Sequence, residues 1–261
     1  MSDEKIRLGG MALPNGVLVH GPKSWACAIR RADGGLEVAS ARKRFRASRV
    51  NSPLLRGPAR LAEALALLPQ VKRKLPAAQL PMGSPRVLVS MIGASVAVKG
   101  IRESGRLRPA AQELLSGLLS LAPAMLAMRG SELASYHGAE HISIGTYEHG
   151  AGATKEHERC GGHLVGPLVA TTALANVLAG LVPVQQRGRA RAAGQIGAIA
   201  ASTEIFGWMS RHPDNLVAQA LSKPGHELQH RFSTAEPSAD QLEVAEAALA
   251  ACLELEHGPD A

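Results

Sequence analysis

Aromatic side chains are scarce in this sequence, which has two tryptophans, two tyrosines and three phenylalanines among 261 residues. A hydrophobic core must therefore consist of leucine, valine and alanine, and the abundant alanine favours helices. The basic segment 41–74 has no platform of aromatic rings on which bases could stack. Nucleic acid is therefore the less favoured partner. An interface there would depend on Arg42, Lys43 and Arg44 and would weaken with salt.

Cysteine is also rare, and Cys27, Cys160 and Cys252 lie far apart without the spacing of a disulfide framework. This pattern excludes a disulfide-stapled scaffold and indicates a reducing compartment. The sequence lacks a glycine-rich nucleotide loop, so we expect no organic cofactor. The first ten residues contain acidic side chains and no apolar run, so we expect no cleavable signal peptide.

The net charge of +7 is divided unevenly along the chain. Residues 1–108 hold 20 lysines and arginines against 6 acidic residues, whereas residues 109–261 hold 9 against 16. A basic half of this kind is either a solvated basic loop or a patch that faces an anionic membrane surface. We expect membrane lipid as the partner.

Apolar runs dominate the middle of the chain, at 86–101, 109–128, 163–184 and 192–209. The run 163–184 is the best membrane-spanning candidate, because it is long, mostly apolar and free of Asp, Glu, Lys and Arg. With 192–209 it predicts an antiparallel helical hairpin over 163–209, joined through the arginine-rich turn 187–191. The hairpin either spans a bilayer or forms the core of a soluble protein. The positive-inside rule places that turn in the cytoplasm, which conflicts with a cytoplasmic site just before residue 163.

The chain as a whole, 1–261, is predicted to be a single domain that is α+β and mostly helical. Short strands broken by turns are expected over 8–40. A helix is expected over 58–74, with Leu61, Leu65 and Leu68 as its apolar stripe.

The C-terminal region, 213–256, predicts short helices that break at Pro224-Gly225, with His226 and His230 as exposed polar residues. Ser238 and Gln241 then form a capping box for a final amphipathic helix over about 239–256. Cys252 lies on the apolar face of that helix and is expected to pack in the core.

Half of the ten histidines fall in the segment 136–163. The pattern His137-x-x-Glu140-His141 places two histidines four residues apart, on one face of a helix, with a glutamate beside them. This is the inverted-zincin arrangement, in which two histidines hold a metal and the glutamate polarises a water molecule. The pattern predicts His137 and His141 as ligands of a divalent metal, best read as zinc, and Glu140 as the catalytic base.

Further ligands are needed, and the nearby candidates are Glu148, His149, His157 and Cys160. Four protein ligands including Cys160 would instead make a closed, structural site in a non-enzymatic scaffold protein. The histidines could also form a hydrogen-bonded polar cluster without a metal. We therefore predict a metal site over 136–162, with Glu140 as catalytic residue and His137, His141, His157, Cys160 and Glu148 as candidate ligands.

Several separated strings resemble the YqhQ-like family, a bacterial family of unknown function described as predicted metal-dependent membrane proteins. The resemblance runs in consistent order from residue 9 to about 250. It rests on these strings: Gly9-Gly10-x-Ala12-x3-Gly16-Val17 with Gly21-Pro22, Leu55-Arg56-Gly57-Pro58, YHGAEH at 136–141, Tyr147-Glu148, His157-x-Arg159-Cys160-Gly161, Pro224-Gly225-x2-Leu228-Gln229, and Thr234-x-Glu236-Pro237 before Gln241-Leu242-Glu243-Val244-Ala245.

The resemblance implies an integral membrane protein with helical hairpins, cytoplasmic ends and a metal site built from the YHGAEH and H-x-R-C-G strings. We therefore expect a metal-dependent hydrolase at the bacterial cytoplasmic membrane, with its site on the cytoplasmic side. A soluble cytoplasmic protein is the alternative location. The resemblance supplies no substrate.

Overall fold

The computed structural model describes residues 5–150 and 152–258. Its N-terminal part is one antiparallel sheet in which each strand pairs with the next along the chain. The strands are β1 (Gly9–Leu13), β2 (Gly16–His20), β3 (Ser24–Arg30) and β4 (Leu36–Arg42). The predicted β region at 8–40 is confirmed.

Helices form most of the remaining described chain, so the predicted mostly helical α+β fold is also confirmed. They are α1 (Arg56–Lys74), α2 (Pro85–Glu103), α3 (Pro109–Met128), α4 (Glu132–His149), α5 (Val165–Gly180), α6 (Arg187–Arg211), α7 (Leu216–Leu228) and α8 (Ala239–His257).

The small sheet is buried on both faces, which is why β2 and β3 are almost continuously apolar. Side chains alternate between the faces because successive residues of a strand point in opposite directions. One face packs against α4 and α8 through Val17, Val19, Ala26 and Ala28. The other face packs against α1 through Leu18, Trp25, Cys27 and Ile29.

Helix α1 forms as predicted, but its predicted apolar stripe is wrong for two of three residues. Leu68 packs against the core, whereas Leu61 and Leu65 are 47% and 46% exposed, and Leu67 and Val71 face the sheet instead. The buried row begins at Glu63, four residues before Leu67, and Glu63 is paired with the buried ammonium of Lys43. Because this buried row includes a charged residue, a search for apolar periodicity does not detect it.

The C-terminal region confirms one prediction and corrects another. Ser238 caps α8, accepting from the Gln241 amide at 3.3 Å while Gln241 Oε1 accepts from the Ser238 amide at 2.8 Å. The predicted break at Pro224 is wrong, because α7 continues through it. Pro224 removes the hydrogen bond to the carbonyl of Ala220, and Ala220 is exposed, so water can satisfy that carbonyl.

The end of α8 is tied to the sheet by the buried carboxylate of Glu256. It accepts from the Lys23 amide at 2.8 Å, the Ser24 amide at 2.6 Å and the Ser24 hydroxyl at 2.7 Å. We expect Glu256→Ala to lower the free energy of unfolding by about 2–3 kcal/mol, because it leaves buried donors without a partner. Glu254→Ala, at an exposed position of the same helix, should cost under about 0.5 kcal/mol. Chemical denaturation of both variants checks this, and equal effects would contradict it.

The apolar helices pack as two antiparallel hairpins, α2 with α3 and α5 with α6, and α3 packs against α5. The predicted hairpin at 163–209 is confirmed, but residues 187–191 begin α6 and the turn is 181–186. Helix α3 leads into α4, and α5 starts after the loop that follows α4. The two hairpin tips, 104–108 and 181–186, therefore lie at the end of the bundle away from α4.

Two segments of this bundle are long and apolar enough to cross a membrane, Ala111–Met128 and Gly161–Gly180. Only 17% of the first and 22% of the second is buried within the chain. Exposed large side chains include Leu114, Leu118, Leu126, Leu174 and Leu178. The bundle therefore turns an apolar surface outward.

Candidate metal centre

Helix α4 carries the H-x-x-E-H pattern and packs between the sheet and the 155–163 loop. Its spacing brings the rings of His137 and His141 together, with centroids 4.3 Å apart. Gly138 lies between them because a Cβ there would overlap the carbonyl oxygen of Ala235. The residue that weakens this helix in isolation is thus required by a close backbone contact.

Cys160 reaches the two histidines because the chain reverses after α4. Gly150 and Gly152, with φ of 96° and 91°, make that reversal in backbone conformations that other residues avoid. The Cys160 Sγ atom lies 3.5 Å from Nε2 of His137. The ligand atoms of His137, His141 and Cys160 all lie within 4.8 Å of one another. Tetrahedral zinc needs ligand atoms roughly 3.5 Å apart, and the pair formed by Cys160 and His137 is already at that distance.

Backbone carbonyls orient both histidines. Nδ1 of His137 donates to the carbonyl of Ser233 at 2.8 Å, and Nδ1 of His141 donates to the carbonyl of Lys155 at 2.6 Å. In each ring this leaves Nε2 as the nitrogen that can bind a metal. Histidines that bind metals are usually held in this way, because the second hydrogen bond fixes the tautomer and the ring plane.

Glu140 lies against the same group, with Oε2 3.9 Å from Nε2 of His137. It is 6% exposed, and its burial raises the pKa of the carboxyl to about 8. Gly10 on β1 makes room for it, because a Cβ at Gly10 would overlap the carboxylate. Strand β1 therefore fixes the position of Glu140 beside the ligands.

The group is electrically neutral at pH 7 in the absence of a cation. Burial lowers the pKa of His137, and it lowers that of His141 to about 2 with help from the neighbouring histidines. Burial also raises the pKa of the Cys160 thiol to about 12. A divalent cation reverses this balance, because it favours the thiolate, the carboxylate and the neutral imidazoles.

These residues line a cavity of about 430 Å³. His137, Glu140, His141 and Cys160 all line it, and its other walls come from β1, from α3 and α4, from Pro81 and from the 157–162 loop, including His157 and Arg159. The volume lies in the range of small-molecule sites. The side chains of the three candidate ligands and of Glu140 therefore line one common cavity.

His157 and Glu148, two further predicted ligands, are paired with each other rather than brought into the group of three. Nε2 of His157 donates to Oε2 of Glu148 at 3.1 Å, while Nδ1 of His157 accepts from the Arg159 amide at 3.3 Å. The Arg159 guanidinium also binds Glu148. Its charge and the His157 hydrogen bond keep the pKa of Glu148 below its usual value, despite burial.

The other histidines of the segment are placed elsewhere. The His149 side chain is 72% exposed. His163 donates from Nδ1 to the Ser222 carbonyl at 3.1 Å and accepts from Gln229 at 3.0 Å. Gln229 in turn accepts from the His157 amide at 2.9 Å, so it joins the loop to the end of α7.

The structure adds residues to the site that the sequence did not single out. The carbonyls of Lys155 and Ser233 orient the histidines through main-chain atoms, which leave no signal in residue type. Gly10 belongs to one of the strings that carry the family resemblance, but the sequence alone gave it no role in the site. Its place beside Glu140 depends on how α4 packs on β1, which sequence periodicity does not give.

The buried ionisable groups predict how the stability of the metal-free protein changes with pH. The folded pKa of His141 is about 2 and that of His20 about 4, so their stabilising effect is present above pH 6.5 and is lost as the pH falls. Glu140, with a raised pKa, contributes stability below pH 4.5 that is lost as the pH rises to about 8. We expect maximum stability near pH 6.5, measured by thermal unfolding in chelator.

A variant isolates the alkaline side of this profile. Glu140→Gln removes the titrating carboxyl, so the metal-free variant should gain stability relative to the unsubstituted protein between pH 5 and pH 8, by about 1–3 kcal/mol. If the free energies of unfolding of the variant and the unsubstituted protein differ by the same amount at pH 5 and pH 8, the raised pKa of Glu140 is contradicted.

The comparison with protein families finds one match, over residues 127–255. It is to the family described as "Protein of unknown function (DUF1385)". The match covers α4, the Cys160 loop and α5 to α7, together with most of α8, so it contains every predicted site residue. No curated protein and no solved structure gives a significant match to the chain. The site chemistry must therefore be argued from the residues themselves.

Proposed function

We propose that this protein is a metal-dependent hydrolase associated with a membrane. The observation that carries the proposal is the group of three ligand atoms from His137, His141 and Cys160, facing a cavity beside the Glu140 carboxyl. Three protein ligands leave a fourth tetrahedral position for water or substrate, which is the arrangement of catalytic rather than structural zinc sites. Two imidazoles and a thiolate suit zinc better than magnesium or calcium, which prefer oxygen ligands.

The residues around the group have the parts that hydrolysis needs. A divalent metal held by the three ligands would lower the pKa of a water molecule at the open position. With such a metal bound, Glu140 would take a proton from the attacking water, and the water oxygen would bond to the substrate's acyl carbon. The bond from that carbon to the leaving group then breaks, and the leaving group takes the proton from Glu140. Water supplies every atom that is added, and nothing is oxidised or reduced.

The open position separates this proposal from a closed structural site in a scaffold protein. The test uses protein loaded with Co²⁺, whose absorption reports thiolate ligation and coordination number. We expect one cobalt per chain, a thiolate charge-transfer band, and a spectral change when acetohydroxamate is added. A cobalt spectrum that acetohydroxamate leaves unchanged would support the scaffold. Absence of any metal binding by folded protein would leave a hydrogen-bonded histidine cluster as the explanation.

The membrane part of the proposal rests on the outward apolar surface of the helical hairpins. Helices of about 20 residues are about 30 Å long, which matches the hydrocarbon thickness of a bilayer. We place the metal site on the cytoplasmic side, because the three cysteines of the chain are free thiols, as is typical of proteins in a reducing compartment. Both hairpin tips would then lie on the outer side. Arg106, Arg108 and Arg187 at or beside the tips oppose that orientation under the positive-inside rule.

Labelling decides between the two orientations. Ser104→Cys places a thiol at the exposed tip of the first hairpin. With a cytoplasmic site, a membrane-impermeant maleimide should label this variant in intact cells. Labelling only after lysis, with the protein in the membrane fraction, would place the tips inside and the site outside. Recovery in the soluble fraction would contradict membrane association.

A further inference from the structure

The cavity beside His137, His141 and Cys160 has an apolar wall as well as a polar one. Beside its polar residues it is lined by apolar side chains from four parts of the chain: Leu8 before β1, Ala12 on β1, Met128 at the end of α3, and Leu133 and Ile144 on α4. Leu133 and Ile144 are 4% and 3% exposed and belong to the hydrophobic core between the sheet and α4. The cavity therefore has a polar, metal-binding part and an apolar part.

The cavity also lies where both candidate membrane segments end. Met128 is the last residue of the first segment, and Gly161 is the first residue of the second. Met128, Gly161 and Gly162 all line the cavity. Because α3 and α5 pack together and run in opposite directions, their two ends at the cavity lie at the same level. With these segments in a bilayer, the cavity is at the level of the lipid headgroups.

The side chains along the bundle continue this apolar surface away from the cavity. Leu118 on α3 and Leu174 and Leu178 on α5 are 54–60% exposed. A molecule lying in the bilayer beside α3 thus meets apolar side chains along the helix, then Met128, and then the metal-binding atoms.

We propose that the substrate is a membrane amphiphile, with a hydrolysable acyl group at the metal ligands and an alkyl chain along the apolar wall. This inference rests on the proposed hydrolase function and adds the substrate class. Each methylene of the chain that the wall buries should strengthen binding about fourfold, as expected for removing apolar surface from water.

The test uses alkyl hydroxamates, which bind a metal through the headgroup and differ only in chain length. Acetohydroxamate and dodecanohydroxamate are titrated into the Co²⁺-loaded protein in detergent, with the cobalt spectrum as readout. Met128→Gln makes the wall polar, and Leu126→Gln makes the same kind of change on the exposed side of the same helix. Because all proteins meet the same detergent, ratios of their affinities cancel the partition of the probe into micelles.

We expect Met128→Gln to weaken dodecanohydroxamate at least tenfold and acetohydroxamate less than twofold. Leu126→Gln should change neither by more than twofold. If acetohydroxamate binds but Met128→Gln and Leu126→Gln have the same affinity for dodecanohydroxamate, the amphiphile inference is overturned. The metal-dependent function then still stands. If acetohydroxamate leaves the cobalt spectrum of the unsubstituted protein unchanged, the proposed function fails, and the substrate inference fails with it.

Discussion

The purified protein should contain about one zinc ion per chain, and His137→Ala or Cys160→Ala should remove at least nine-tenths of it. Each substitution deletes one of three ligands whose atoms lie within 4.8 Å of one another. A site with two remaining ligands loses the chelation that makes zinc binding tight at neutral pH. Elemental mass spectrometry of the purified variants, beside circular dichroism to show that they are folded, makes the measurement.

Two further histidines supply controls for that result. His149→Ala changes an exposed residue of the same helix and should leave the zinc content unchanged. His157→Ala tests the remaining sequence prediction. His157 is bonded to Glu148, and we expect its loss to reduce zinc content by less than half. Retention of zinc by both His137→Ala and Cys160→Ala would place the metal elsewhere, and zinc lost equally from all four variants would indicate a general loss of structure.

Zinc binding should also release protons, because the side chains around the site are neutral in the metal-free protein. The Cys160 thiol, with a pKa of about 12, must lose its proton to become a ligand, and Glu140, with a pKa of about 8, is driven to ionise. Calorimetric titration with zinc at pH 7, in buffers of different ionisation enthalpy, measures the number of protons released per zinc bound. We expect between one and two protons per zinc, and a value of zero would exclude Cys160 as a thiolate ligand.

The sequence was sufficient for the parts of the fold that local rules govern. The capping box at Ser238 follows from two residues three apart, and the H-x-x-E-H pattern becomes a site because a helix places residues four apart on one face. The helical hairpin at 163–209 follows from two neighbouring apolar runs joined by a short connection. In each case the necessary information lies within one or two turns of chain.

The remaining features depend on contacts between distant segments. Glu63 lies in the buried row of α1 because Lys43 meets it from the end of the sheet, and neither residue alone predicts this pair. Cys160 and His157 are equally good ligands by type, and His157 faces Glu148 because of how the 155–163 loop packs on Gln229. Choosing among the predicted ligands therefore required the three-dimensional arrangement.

Glu140→Gln should abolish hydrolysis while leaving the zinc in place. Glutamine has nearly the same shape, so it can occupy the space that Gly10 leaves, but it cannot accept a proton from water. We expect kcat to fall by about 10²–10⁴, the usual contribution of a general base, with KM changed less than threefold. The measurement uses zinc-loaded protein and p-nitrophenyl esters of acetic and dodecanoic acids, followed by release of nitrophenolate.

The pattern of losses separates a catalytic Glu140 from one that only holds the site together. Glu246→Gln, at an exposed position of α8, is the matched control and should leave both zinc content and kcat unchanged. Gly10→Ala keeps the carboxyl but pushes it aside, because the added Cβ would overlap it. This variant should therefore also lose kcat while it keeps its zinc. If zinc and activity instead fall together in Glu140→Gln, the carboxyl acts by supporting the ligands, and the base must be sought among the other groups that line the cavity.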